Sequence, residues 1–89
     1  MVVRHTRSAT RHRISRESSR HVVEKTGVVF GEAAPAGSGL LDPRLVFLGP
    51  DRHGVLLEVM AVEVDGGGLL VIHAQPIRPR YESLLEGGL

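Results

Sequence analysis

The sequence predicts a single α+β domain, in which an N-terminal helix packs on a small antiparallel β-meander and a short helix closes the chain. Three observations predict it. A polar, capped segment around residues 14–26 has helical character. Residues 44–75 hold three apolar runs separated by dense turn residues. A proline and two leucines follow at helical spacing near the end.

The chain has 89 residues, a length suited to one domain with a modest core. Residues 1–13 read as a basic arm, too polar across 4–13 to bury. Ser15 is a good N-cap, Ile14 precedes it as a staple residue, and Glu17 favours the first turn. A helix is expected to about Lys25, stopped by Gly27, with a thin apolar stripe of Ile14, Val22 and Val23 that needs a sheet to lie on. Val28-Val29-Phe30 is either a brief strand or the packed end of that helix. Residues 31–39, with Pro35, Gly37 and Ser38, form a loop.

In the meander, Leu45–Leu48 is a short strand, Gly49–Gly54 a turn, and Val55–Val64 a long strand rich in branched residues. Asp65–Gly68 makes a hairpin turn and Leu69–Gln75 returns, ended by Pro76. Pro79 suits the first turn of a helix through about Glu86, on which Tyr81, Leu84 and Leu85 share a face.

A two- or four-residue hairpin loop pairs Val64 with Leu69, Val62 with Val71, Met60 with His73 and Glu58 with Gln75. A three-residue loop slips this pairing. In the first register, one face carries Leu57, Val59, Ala61, Leu70, Ile72 and Ala74 and should meet the helix. The other carries Glu58, Met60, Val62, Val71, His73 and Gln75. Its polar members gather at the end away from the glycines, with His73 diagonal to Glu58.

Composition removes several function classes. There is no Cys, so zinc-thiolate sites and a Cys nucleophile are excluded, and a reducing, cytoplasmic location is expected. No apolar run is long enough for a membrane span, and the start lacks a secretory core. No phosphate-binding loop, dinucleotide motif or nucleophile elbow is present. His5 and His12 are not at a convincing metal spacing, so neither metal nor cofactor is expected. Charge is segregated: residues 1–25 hold seven of the eleven Lys and Arg, opposed only by Glu17 and Glu24. That asymmetry fits a polyanionic partner, or else a solvated arm.

The candidate site follows from these placements. His73 beside Glu58 suits proton transfer near neutral pH, although His73 taken alone reads more readily as a histidine satisfied by hydrogen bonds on an open sheet face. Arg78 and Arg80 offer planar donor forks for phosphate. Tyr81 either stacks on a base or anchors the final helix. Arg11, Arg13 and Arg16, in the basic tract with His5, His12 and Arg20, suit backbone contacts to nucleic acid.

The ordered set of a basic stretch into Ile14-Ser15, then Leu48-Gly49-Pro50-Asp51, Gly54-x-x-Leu57-Glu58-Val59, Leu70-Val71-Ile72-His73-Ala74 and Arg78-x-x-Tyr81 resembles the BrnT-like toxins of type II toxin–antitoxin systems, in the RelE-like superfamily. The likeness covers roughly residues 5–85. It implies a metal-independent endoribonuclease with His73, Arg78 and Tyr81 in the strand-exit active region. It also implies that the arm around Arg11 and Arg13 faces RNA or a cognate antitoxin, often of ribbon-helix-helix type. A homodimer or a toxin–antitoxin hetero-oligomer is the expected assembly. The competing expectation is a non-catalytic RNA- or protein-binding module acting through the basic arm.

Overall fold

The computed structural model describes residues 2–10, 12–33, 36–37 and 44–87. Five strands form one mixed sheet in the order β1-β5-β4-β3-β2. They are β1 (Val3–His5), β2 (Val28–Glu32), β3 (Arg44–Pro50), β4 (Leu56–Val64) and β5 (Gly68–Pro76). Helix α1 (Arg16–Lys25) covers one face and α2 (Pro79–Gly87) packs on the other. The class is α+β, as expected, but with five strands instead of three. No helix among the described residues is long and apolar enough to cross a membrane.

The N-terminal segment is not a solvated arm. Val3–His5 joins the sheet parallel to β5, pairing Val3 with Leu69 and His5 with Val71. Residues Arg7–Thr10 then form a 3₁₀ turn that buries Ala9. The basic side chains do not prevent this. Strand alternation sends Arg4 outward and Val3 inward, and backbone pairing satisfies the polar main chain.

Ser15 caps α1 as expected, its Oγ accepting from Ser18 N at 3.0 Å. Val22 and Val23 are buried and Ile14 packs beside them, against Leu57, Val59 and Ala61 of β4 and Phe47 of β3. Full burial of each valine stabilises by about 1.5–3 kcal/mol. The helix stops at Thr26, one residue before the expected Gly27. Thr26 is extended, and its Oγ1 donates to Leu48 O while accepting from Val28 N. This ties the helix end to β3 at Gly49, where an added Cβ would lie 2.8 Å from Thr26 Oγ1.

Val28-Val29-Phe30 resolves as part of β2, an edge strand antiparallel to β3. Of the expected loop 31–39, Gly31 and Glu32 belong to β2, and positions 34, 35, 38 and 39 lie outside the described residues. The β3–β4 turn is held by Asp51, whose Oδ1 accepts from His53 N and Val55 N.

The β4–β5 hairpin corrects the expected register near its turn. The loop has three residues, Asp65, Gly66 and Gly67, and both glycines have positive φ. Val64 therefore faces Gly68, and Ala61 faces Val71. A bulge between Met60 and Ala61 takes up Ile72 as the extra residue, restoring Met60 opposite His73 and Glu58 opposite Gln75. The slip and the bulge cancel at the site end only. Leu69 and Val71 consequently join the α1 face, while Ile72 packs with Met60 and Tyr81 on the α2 face, reversing the expected placement of Ile72 and Val71. On α2, Tyr81 and Leu85 pack inward, but Leu84 is exposed.

Candidate functional site

The site forms where β5 runs out beside β4. Pro76 is the last residue of β5, Ile77 N still donates to Leu56 O, and Pro79 starts α2. The two prolines bracket a tight bend, and that bend returns Arg78 to the end of β4. There its backbone N donates to Glu58 Oε1 at 2.9 Å. Its Nε donates to Oε1 and Oε2 at 2.9 and 3.1 Å, and its Nη2 to Oε2 at 2.7 Å. Gln75 stands directly across from Glu58 in the sheet. Glu58 is completely buried, and such a charge requires this density of donors. Burial pushes its carboxyl up, but the Arg78 bonds outweigh that and hold it below the ordinary carboxylate value.

Arg78 is only partly committed. Its side chain is 43% exposed, and Nη1 has no hydrogen-bond partner among the described residues. A guanidinium gripped on one edge by a buried carboxylate is fixed in orientation while its other donors remain available for a phosphate.

His73 stands beside this pair. Its Nε2 lies 3.6 Å from Glu58 Oε2, outside hydrogen-bond range, and is buried with no partner among the described residues. Glu58 therefore flanks His73 but is oriented by Arg78. Burial lowers the His73 pKa below the ordinary imidazole value; Glu58 opposes this, and His12, Arg78 and Arg44 add to the lowering. The lowering favours the neutral ring that a proton acceptor must be. Its side chain is 27% exposed, so solvent reaches the ring but not Nε2.

A second network adjoins the first. Tyr81 Oη donates to Glu32 Oε2 at 2.6 Å, and Arg44 Nη2 donates to Glu32 Oε1 at 2.8 Å. The Tyr81 hydrogen bond is the largest cause holding the Glu32 carboxyl below its usual value. Arg80 Nη2 lies 3.5 Å from Glu32, and its guanidinium sits 4.6 Å from the centre of the Tyr81 ring. Arg78 lies 5.5 Å from the same ring. The ring is thus flanked by two guanidinium groups and packs near Phe30. Tyr81 is only 2% exposed, which corrects the expectation that it offers a stacking face to a base; it anchors α2 instead. Burial and the Glu32 carboxylate raise its phenol pKa, so it holds its proton.

Of the expected nucleic-acid contacts, Arg80, Arg13 and Arg16 are exposed, and Arg11 lies outside the described residues. Arg80 belongs to the cluster. Arg13 follows His12, whose ring meets that of His73 edge-on with centroids 5.5 Å apart. Arg16 lies at the start of α1, beside His5. Sequence reasoning did not single out Glu32, Arg44 or His12 for this site. Glu32 and Arg44 carried a signal, as opposite charges flanking one loop, and they prove to be cross-strand partners. His12 carried none beyond its place in the basic tract. Among the described residues, no group of three or more His, Asp or Glu side chains gathers as metal ligands would.

Comparison of the whole chain with family models, with curated proteins and with solved structures returns no match.

Proposed function

We propose that this chain is an endoribonuclease of the BrnT-like, RelE-superfamily kind, the toxin half of a type II toxin–antitoxin pair. The observation that carries the reading is the juxtaposition of a partly exposed His73, its ring biased to the neutral form, with an Arg78 fixed by a buried carboxylate. Cleavage of RNA by its own 2′-hydroxyl needs a base at that oxygen and cations on the phosphate as charge builds. His73 takes the 2′-hydroxyl proton. Arg78, through the donors Glu58 leaves unused, and Arg80 hold the phosphate. Glu58 and Tyr81 are positioning residues: one aims Arg78, the other supports Arg80. Arg13, next to His12, and Arg16, at the start of α1, contact the RNA backbone, with Arg11 assigned to the same tract by sequence.

The test is incubation of purified protein with single-stranded RNA, alongside induction in a bacterium. Wild type should cleave and arrest growth, and His73→Ala should cut cleavage by about 10²–10⁴-fold. A wild type that neither cleaves RNA nor arrests growth would remove the catalytic reading.

One observation favours a second reading. Tyr81 and Arg44 both bond to the Glu32 carboxylate, as in a purely structural network. On that reading the chain is a non-catalytic module that binds RNA or a protein partner through its basic N-terminal segment. It predicts salt-sensitive RNA binding that depends on Arg13 and Arg16 and is unchanged by His73→Ala.

A further inference from the structure

We infer that His12 is the second proton-transferring residue of this site, protonating the leaving 5′-oxygen of single-stranded RNA while His73 deprotonates the 2′-hydroxyl. The inference rests on the ribonuclease reading and deepens it by naming the acid and the products.

His12 is delivered to His73 by a well-held backbone. Thr6 N donates to Val71 O at 3.0 Å, and Ser8 Oγ donates to Ile72 O at 3.1 Å, so the segment runs along β5 toward His73. Arg13 N then bonds to Thr10 O at 3.1 Å, and Arg13 adopts a φ of 63°, the only positive φ at a non-glycine position among the described residues. Such a conformation is uncommon for an L-residue and persists where the surroundings impose it. It turns the chain immediately after His12, between the 3₁₀ turn and the Ser15 cap of α1.

The result is two imidazoles in edge-to-face contact, with ring centroids 5.5 Å apart and planes at 72°. In-line transesterification places the attacking and leaving oxygens on opposite sides of one phosphorus, so its base and acid must lie within one phosphate's span of each other. This pair satisfies that requirement, with Arg78 beside it to carry the phosphate charge. The groups facing His73 are Glu58 from β4, Arg44 from β3, Arg78 after β5, and His12. A positive charge at the His12 position opposes protonation of His73. His12 is exposed and open to water.

The step balances. The 2′-oxygen gives its proton to His73 and bonds to phosphorus. The bond from phosphorus to the 5′-oxygen breaks, and that oxygen takes the proton of His12. The products are a 2′,3′-cyclic phosphate and a 5′-hydroxyl. His73 ends protonated and His12 neutral, and solvent resets both.

RNA carrying a 5′-bridging phosphorothiolate tests the assignment, because a thiolate leaves without protonation. On ordinary RNA, His12→Ala should lose about 10²–10⁴-fold in rate. On the phosphorothiolate it should return close to the wild-type rate, whereas His73→Ala should stay slow on both substrates. Circular dichroism should show an unchanged fold, since His12 is exposed. A wild type that cleaves ordinary RNA beside an equally active His12→Ala overturns the inference and leaves the ribonuclease reading standing. So does a His12→Ala that stays slow on the phosphorothiolate. A wild type that cleaves neither substrate overturns the reading itself, and the inference with it.

Discussion

Glu58 and Arg78 are joined by four hydrogen bonds, one from the Arg78 backbone and three from its guanidinium. The carboxylate is completely buried, and the arginine closes the bend between Pro76 and Pro79. The pair therefore holds the strand exit together as well as aiming a cation.

Removing one partner exposes that dual role. Arg78→Ala leaves Glu58 buried without its four hydrogen bonds, and should cost about 3 kcal/mol, the lower part of the range for breaking a buried pair because Arg78 is partly solvated. Urea denaturation at neutral pH measures this. Arg78→Lys should recover only part of the deficit, because a single ammonium cannot reproduce the fork.

The acid side of the stability profile should fall in two stages. His73 and His5 both have folded-state pKa values lowered, chiefly by burial, from an ordinary value of 6.5. The unfolded chain then binds more protons than the folded one, so their contribution is complete above about 6.5 and is lost as pH falls through the depressed folded values. Glu58 and Glu32 are also depressed, from 4.5, so their contribution is complete above that and fades only in stronger acid. Replacing both histidines with Asn should flatten the first stage and leave the second, as read from chemical denaturation between pH 8 and pH 3.

Tyr81→Phe and Tyr81→Ala separate the hydroxyl from the ring. The first removes the bond to Glu32, which keeps Arg44, and should cost about 1–2 kcal/mol. The second empties a space against Phe30, Val46 and Leu85 and should cost about 3–5 kcal/mol. Thermal melts followed by circular dichroism distinguish them.

Gly49→Ala should destabilise by about 1–3 kcal/mol, since the new Cβ meets Thr26 Oγ1 at 2.8 Å and Thr26 is pinned by two hydrogen bonds. Gly27→Ala, with nothing within 4 Å of the added atom, is the matched control and should be close to neutral.

RNA affinity should fall with salt. Replacing Arg13 or Arg16 by Ala should make the plot of log affinity against log salt shallower, by about 0.7 for each phosphate that is no longer neutralised. Fluorescence anisotropy with a labelled single strand over a salt series gives the slope directly.

The sequence alone determined what local chemistry can determine. Ser15 caps a helix because a hydroxyl at that position satisfies an orphan amide, and Val22 and Val23 face the sheet because helical spacing allows nothing else. The turn at Asp51 and the return strand to Pro76 were legible for the same reason. The tertiary structure decided what depends on distance along the chain. Val3–His5 becomes a strand only because β5, more than sixty residues later, offers it a parallel edge. The Ile72 bulge exchanges the faces of Val71 and Ile72, since a single extra residue inverts a two-residue period. Arg78 reaches Glu58, and His12 reaches His73, through a bend and a strained turn with no periodic signature. His73, Glu58, Arg78 and Arg80 could be named from the sequence, but Glu32, Arg44 and His12 could not, nor could the Arg78 grip on Glu58, because a buried charge takes its partner from whatever the fold brings beside it.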